Sequence, residues 1–367
     1  MSVSGPGWLR EVVWRVGFVF VPYSARGHVA PMLRVVAELT ARGERVRVVA
    51  DACYRDAVRA AGAVMVLPEV ECEARVPAGY TLRELLERTR LRQRRWAAGR
   101  AVAHAFERVV PVGSPDVCVI DPHFRKLDAV ACRSGRSVVR FWTTYAKPAW
   151  PMTALTLVNA LPEFQPRHFR IDSELYFVGP LVDGMSPSDD CGIEWQGLVG
   201  PVLVVSPGTV FARSAEFFRG VVRAFAGSEW TVVIATGQLP VDAVGPVPDN
   251  IVVRQWIPQS QVLGYADVFL THAGMNSIHE SIVAGVPMLL APRSLEQRFN
   301  ASRAEILGLG ARLAGPARLR RQVDWLAADV ATGARLDAVR RRISVSAGPV
   351  CAADRLCGIA VRKNIRR

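Results

Sequence analysis

The chain has 367 residues, of which 50% are hydrophobic and 22% charged, a balance that excludes a disordered chain and suits two domains of ordinary size better than one core. The formal net charge of +13 would suggest nucleic acid or an anionic surface if it were clustered. Lysine, however, stands only at Lys126, Lys147 and Lys363, while arginine is spread over every segment, so the charge excludes no small-molecule function and argues against nucleic acid and against a membrane contact.

No apolar run approaches the ~18–20 residues that a membrane span requires, and the N-terminus carries charges through its apolar part without a small-residue cleavage site, so a cytoplasmic location is expected. Seven cysteines, Cys53, Cys72, Cys118, Cys132, Cys191, Cys351 and Cys357, are odd in number and lack metal-ligand spacing, and they read as small buried hydrophobes.

In chain order, Val16 to Val21 is an apolar run that predicts a buried first strand, and Pro22 to Gly27 is the turn that follows it. His28 then opens an amphipathic helix through Met32 to Thr40, closed by Gly43, and Val46 to Ala50 supplies the next strand. This places His28 just past the carboxyl end of the first strand, at the start of the first helix, where a general base could work. Arg88 to Arg100 reads as a solvated helix face. Pro115 to Asp121 predicts a strand that ends in an acid, with His123 two residues on, able to compete for Asp121 or to line a pocket. Val138 to Phe141 is a further strand, and only a short piece, Trp142 to Pro166, separates it from His168 to Gly179. Trp142, Tyr145, Trp150, Met152 and Phe164 are bulky side chains in or near that piece, suited either to stacking on an acceptor or to ordinary core packing. Val182 to Gly200 has linker composition.

The second half repeats the strand–helix alternation of a doubly wound sheet. Val202 to Ser206 is a strand followed by the turn Pro207-Gly208-Thr209; Phe217 to Phe225 is a helix, Thr231 to Ala235 a strand, and Asn250 to Gln259 a strand that runs into Trp256-Ile257-Pro258-Gln259. The strand Val268 to Leu270 passes through His272 and Gly274 into a helix containing Met275, Asn276, Ser277 and Glu280. The side chains and free N–H groups at that helix start, with the positive end of its dipole behind them, suit a phosphate. Gly285-Val286-Pro287 ends the helix before the strand Met288 to Leu290, and Glu296 and Gln297 then fall at the carboxyl edge of the sheet, where ligands of open α/β sheets bind. Arg318 to Arg321 is a second solvated cluster, and Asp329 to Ile343 is a long helix.

These segments resemble the nucleotide-sugar-dependent glycosyltransferases of the GT-B architecture, in particular the bacterial macrolide and antibiotic glycosyltransferases and the plant secondary-product enzymes. The likeness covers nearly the whole chain and is strongest over Asn250 to Ala301. It implies an α/β protein of two Rossmann-like doubly wound domains facing a central cleft: an acceptor domain over residues 1–178, a linker over 179–200, a donor domain over 201–343, and a tail over 344–367 that packs back on the first domain.

The resemblance also implies roles. His28 in a GHxxP-like segment would take the proton of the acceptor hydroxyl, and Asp121 would orient it. His272, Gly274, Met275, Asn276 and Ser277, with Gly208 and Thr209, would hold the donor diphosphate. Trp256 would stack on uracil or thymine beside Ile257, Gln259 and Glu280 would reach the ribose, and Glu296 and Gln297 would hold the sugar. Glu296 stands where the family more often has Asp, which would favour a deoxysugar. Trp142, Tyr145 and Trp150 would line the acceptor site, whose cover is shorter than usual, leaving it open or completed by a partner chain such as a second copy in a homodimer. The chain has no Asp-x-Asp, so no metal and no cofactor is expected beyond the nucleotide sugar, with a small-molecule aglycone as the other substrate. On the same fold, a lipid-acceptor transferase, a nucleotide-sugar epimerase and a non-catalytic partner protein stay open as alternatives.

Overall fold

The structure is a computed structural model that describes residues 17–70, 82–111, 114, 116–124, 127, 130–132, 136–148, 155–170, 174–182, 200–208, 213–346 and 348–365. Two all-parallel sheets organise it. The first contains β1 (Phe18–Val21), β2 (Val46–Val49), β3 (Val64–Val66), β4 (Val117–Ile120), β5 (Ser137–Trp142), β6 (Leu155–Val158) and β7 (Glu174–Phe177), in the order β3-β2-β1-β4-β5-β6-β7. The second contains β8 (Val202–Ser206), β9 (Thr231–Ala235), β10 (Ile251–Arg254), β11 (Val268–Thr271), β12 (Met288–Leu290) and β13 (Gly310–Arg312), in the order β10-β9-β8-β11-β12-β13. Every residue of β1, β4, β8 and β11 is buried, because helices cover both faces of a parallel sheet and leave no polar side to alternate with. Their sequences are accordingly unbroken apolar runs.

The helices are α1 (Arg26–Ala41), α2 (Arg55–Ala60), α3 (Leu82–Val109), α4 (Ala215–Phe225), α5 (Gln259–Val262), α6 (Met275–Ala284), α7 (Leu295–Ile306), α8 (Leu319–Ala328), α9 (Val330–Ser346) and α10 (Pro349–Ile365). α9 leaves the second sheet along α6, with Leu336 and Val339 in one core with Ile278 and Ile282. α10 then returns to the first sheet. Its Ala352, Ala353, Leu356 and Ala360 pack among Met32, Val35, Val36 and Leu39 of α1, and Arg42 pairs with Asp354 at 2.6 Å. Among the described residues no helix is long and apolar enough to cross a membrane.

Each sheet reverses its strand order once, between β1 and β4 and between β8 and β11. The connections on either side of such a point leave toward opposite faces, so a crevice opens outside the carboxyl ends of the two strands. The register pairs Val21 with Ile120 in one sheet and Thr271 with Ser206 in the other. His28 and Asp121 follow the first pair of strands, and His272 and Gly208 the second.

Some expectations need correction. The stretch read as a short cover after β5 contains β6, which is wholly buried, and the run His168 to Gly179 that follows it contains β7. Residues 183–199, which carry most of the expected linker, lie outside the described residues, as do Cys72 and Cys191. Of the cysteines expected as buried fillers, Cys118 is buried, Cys132, Cys351 and Cys357 are half-buried, and Cys53 is exposed. Of the arginine clusters read as solvated, Arg90, Arg94, Arg100, Arg318 and Arg321 are exposed, while Arg95 and Arg320 are half-buried.

One histidine on α6 is fully buried for no visible polar reason. Neither ring nitrogen of His279 has a hydrogen-bond partner, and burial lowers its pKa to about 3 from 6.5. A depressed imidazole means that the fold refuses a proton the unfolded chain accepts. The associated stability is intact above pH 6.5 and is lost as the pH falls from there toward 3. Replacing His279 by Leu removes two unsatisfied polar atoms at similar volume and is expected to raise stability by about 1–2 kcal/mol near neutral pH, with a smaller loss on acidification. Urea midpoints at pH 7 and pH 5 measure both effects, and a lower midpoint in the variant at pH 7 would show that the ring makes a bond worth keeping.

Candidate active site

The first wall of the site is built at the β1/β4 crevice. The backbone N–H of Asp121 donates to the Val21 carbonyl at 3.0 Å, which extends the β1/β4 ladder by one residue and fixes the carboxylate beside the start of α1. His28 lies in the first turn of that helix. Its Nδ1 donates to Asp121 Oδ2 at 2.6 Å, and Thr143 Oγ1, just past β5, lies 3.2 Å from the same nitrogen. His123 meets the other oxygen: its Nδ1 stands 2.8 Å and its backbone N–H 2.9 Å from Asp121 Oδ1. Burial works against an ionised Asp121, but the neighbouring charge of His28 and the hydrogen bonds from His123 and His28 outweigh it and hold the carboxyl below the usual range. Tyr23 packs on both imidazoles, with ring centroids 5.4 Å from His28 and 5.0 Å from His123.

The second wall is built at the β8/β11 crevice, around His272. Gly208, at φ +76°, and Gly274 both face this imidazole so closely that a Cβ at either would overlap the ring. The intervening Ala273 adopts the left-handed conformation at φ 63°, which a non-glycine residue takes only when its surroundings impose it. Here the buried Asn300 of α7 donates from Nδ2 to the Ala273 carbonyl at 3.2 Å. Gly274 is the N-cap of α6 and offers no side-chain cap, so the N–H groups of the first helical turn remain available to an anion. Burial, then the Arg213 guanidinium, push the His272 pKa down to about 4, against a smaller opposing contribution from the Ser206 backbone. At neutral pH His272 is therefore an uncharged hydrogen-bonding ring.

Further along, Glu280 is held by Gln259 and by Ser260 Oγ, the latter at 3.0 Å, and Gln259 also donates to Ser277 Oγ at 3.1 Å. Trp256 is 37% exposed, and the Arg26 guanidinium from the opposite wall lies 4.7 Å from its ring centroid. Glu296, at the start of α7, faces Lys147 of the first half at 3.6 Å. Gln297 uses Oε1 to accept from the backbone of Arg293 and Ser294, forming a capping box with Ser294.

Both walls line one cavity of about 750 Å³, within the size range of small-molecule sites. The structure brings to it His28, Gly208, Trp256, Ile257, Gln259, His272, Gly274, Met275, Asn276, Ser277, Glu280, Glu296 and Gln297, with Asp121 directly behind His28. Three expectations change. Asn276 is engaged with protein: its Nδ2 donates to the Gly27 carbonyl of α1 at 2.9 Å and so ties the two walls together. Trp142 and Tyr145 are buried at 8% and 7% exposure and are not among the described residues lining the cavity. Tyr145 instead packs edge-on against Phe299 of the second half, with centroids 4.6 Å apart. Trp150 and Thr209 lie outside the described residues. The first wall is completed by Tyr23, Arg26, Arg34, Arg95, His123 and Thr143; of these, sequence reasoning gave a possible site role only to His123 and read Arg95 as part of a solvated helix face.

His28, Asp121 and His123 also bring three potential metal-ligand atoms within 4.8 Å of one another. Their N–O separations of 2.6 and 2.8 Å are those of shared protons. Two ligands at ~2.0–2.1 Å from one tetrahedral zinc must stand about 3.3 Å apart, so the cluster as built is a hydrogen-bonded one.

Residues 185–317 match the family model described as UDP-glucoronosyl and UDP-glucosyl transferase. The chain is 35% identical over 158 residues to the NDP-glycosyltransferase YjiC of Bacillus subtilis, a match spanning 43% of this chain and 40% of that relative's length. It is 28% identical over 345 residues to the oleandomycin glycosyltransferase of Streptomyces antibioticus, covering 79% of this chain and 77% of the relative. Among solved structures, the calicheamicin glycosyltransferase CalG4 superposes with a TM-score of 0.75 at 30% identity, over 95% of this chain and 99% of that one.

The packing around His272 yields a prediction. Gly274→Ala must push the imidazole out of its slot, and Gly208→Ala adds backbone strain to the same clash. Each variant is expected to lose thermal stability, Gly208→Ala more than Gly274→Ala, and while folded to bind UDP or dTDP at least about tenfold more weakly, a loss of ~1.4 kcal/mol or more. Calorimetric titration measures the loss, and wild-type affinity in Gly274→Ala would show that the ring is not part of the nucleotide site.

Proposed function

We propose that this chain, which belongs to the UDP-glucoronosyl and UDP-glucosyl transferase family and has the GT-B fold, moves a sugar from a UDP- or dTDP-sugar onto a hydroxyl of a small natural-product aglycone, with inversion and without a metal. The observation that carries the reading is the pairing of walls: the hydrogen-bonded His28–Asp121 dyad on one side of a cavity, and the uncapped start of α6 beside the uncharged His272 on the other.

In this reading His28 Nε2 takes the acceptor's hydroxyl proton while the oxygen attacks the anomeric carbon from the face opposite the leaving group. The bond from that carbon to the diphosphate oxygen breaks, and the electron pair leaves with the nucleoside diphosphate. The new charge falls at the α6 N–H groups, the positive end of the helix dipole and the hydrogen-bonding His272 ring. Asp121, already ionised and buried, keeps the imidazolium oriented until its proton returns to solvent. Trp256 offers its exposed face to the base, Glu280 with Gln259 meets the ribose, and Glu296 with Gln297 meets the sugar. With Gln297 Oε1 taken by backbone donors, its amide N–H groups remain for sugar hydroxyls. Glu296, longer by one methylene than an Asp, reaches further into the sugar position and favours a deoxysugar. The relatives named for oleandomycin and calicheamicin support an acceptor of the natural-product class.

The reading predicts a split between binding and chemistry. With excess chelator present, wild-type protein is expected to bind one UDP- or dTDP-sugar series and to release nucleotide when an acceptor is supplied. His272→Ala is expected to lose binding, while His28→Ala and Asp121→Asn keep it and lose turnover by about 10²–10⁴-fold. Calorimetry and a nucleotide-release assay read the two quantities; absence of binding to every nucleotide sugar, or full turnover in His28→Ala, would overturn the assignment.

A further inference from the structure

Asp121 serves two imidazoles, and we propose that His123 is a positioning residue that shares the Asp121 carboxylate with His28 and so limits how tightly that carboxylate can hold a proton on the base. The argument is geometric. Oδ2 takes His28 Nδ1 at 2.6 Å, and Oδ1 takes His123 Nδ1 at 2.8 Å together with the His123 backbone N–H at 2.9 Å. The Asp121 side chain is 1% exposed, so these donors, and not bulk water, satisfy it in the folded protein. Donation from both Nδ1 atoms sets both rings in the same tautomer and leaves a lone pair on each Nε2. The rings stand edge to face, with centroids 4.7 Å apart and an interplanar angle of 89°.

A carboxylate whose oxygens are divided between two donors gives each donor less of its charge than one devoted to a single imidazole. A base that must release its proton at every turnover benefits from that division. The other groups around the pair do not supply it. Tyr23 packs on both rings with its uncharged face, Thr143 is neutral, and the charged pair Glu296 and Lys147 acts on His123 with opposite signs from across the cavity. Burial lowers the His123 pKa, and its hydrogen bond and charge contact with Asp121 more than reverse this, as a genuine share in the carboxylate requires. Without the His123 ring, Oδ1 would keep only the backbone N–H at residue 123, more of the carboxylate's charge would fall to His28, and its ring would give up its proton only at higher pH.

The inference rests on His28 being the base, but its test needs neither donor nor acceptor. The chain has six histidines, so ring-¹³C-labelled protein gives a small set of signals, and His28→Gln identifies that of His28 by its loss. The signal of His28 is then followed against pH in wild type, His123→Ala, His123→Phe and His123→Asn. Ala and Phe remove the donor, and Phe keeps a ring against Tyr23 should Ala fail to fold. Both are expected to move the His28 midpoint upward by about half to one pH unit. Asn, whose Nδ2 can still reach Asp121 Oδ1, is expected to stay near wild type. An unchanged or lowered midpoint in the folded Ala or Phe variants, or an Asn variant that shifts as far as Phe, would overturn the inference and leave His123 a lining residue only. Full turnover in His28→Ala would instead sink the reaction assigned to the dyad while leaving this titration result standing.

Discussion

The reversal of strand order in each sheet is the constraint on which the rest depends. Parallel strands send their connections to one face or the other, and where β1 meets β4, and β8 meets β11, adjacent connections diverge. No side chain of the sheet can fill the resulting gap, so the residues immediately beyond those strands become the walls of a ligand site. His28, Asp121, Gly208 and His272 are functional candidates because of where their strands end, and their local chemistry follows from that placement.

What turns two crevices into one cavity is a set of polar and apolar contacts between the halves. Asn276 of α6 reaches the Gly27 carbonyl at 2.9 Å and lies 3.4 Å from Asn159, which follows β6. Arg303 of α7 donates to the Glu163 carbonyl at 2.8 Å, Lys147 faces Glu296, and α10 carries apolar side chains from the end of the second half into the core around α1. Apolar packing accompanies them: Trp142, Leu161 and Phe164 of the first half share one buried core with Met275, Ala301 and Ala304 of the second, and Tyr145 packs edge-on against Phe299.

Much of this was legible in the sequence, and the part that was not has a common cause. The strands beside the crevices read as unbroken apolar runs, and the strand–turn–helix punctuation around His28 and His272 is local, so their positions followed from short stretches. The direction of Asn276 was invisible because its partner lies 249 residues away. Trp142 and Tyr145 were read as acceptor contacts for their bulk; for Trp142, strand β5 is buried along nearly its whole length and gives no alternation from which to tell a core-facing side chain from a cavity-facing one, and Tyr145 lies beyond the strand's end. β6 and β7 were missed although turn residues flank both, Pro151 and Pro162 around the one and Asp172-Ser173 and Gly179-Pro180 around the other. His123 was noticed only as a rival for Asp121; that one carboxylate satisfies both rings depends on its two oxygens pointing apart, which no spacing rule encodes. Arg26, held against Trp256 by a contact across the cleft, carries no motif at all.

The central claim is that the nucleotide lies at the start of α6 with its base against Trp256, and it is tested most directly by a crystal structure with UDP or dTDP bound. Phosphate oxygens are expected within hydrogen-bond distance of the backbone N–H groups that follow Gly274 and of the His272 ring, with the base stacked where the Arg26 guanidinium now lies. A nucleotide bound anywhere else, or with its phosphates coordinated through a metal away from α6, would contradict it.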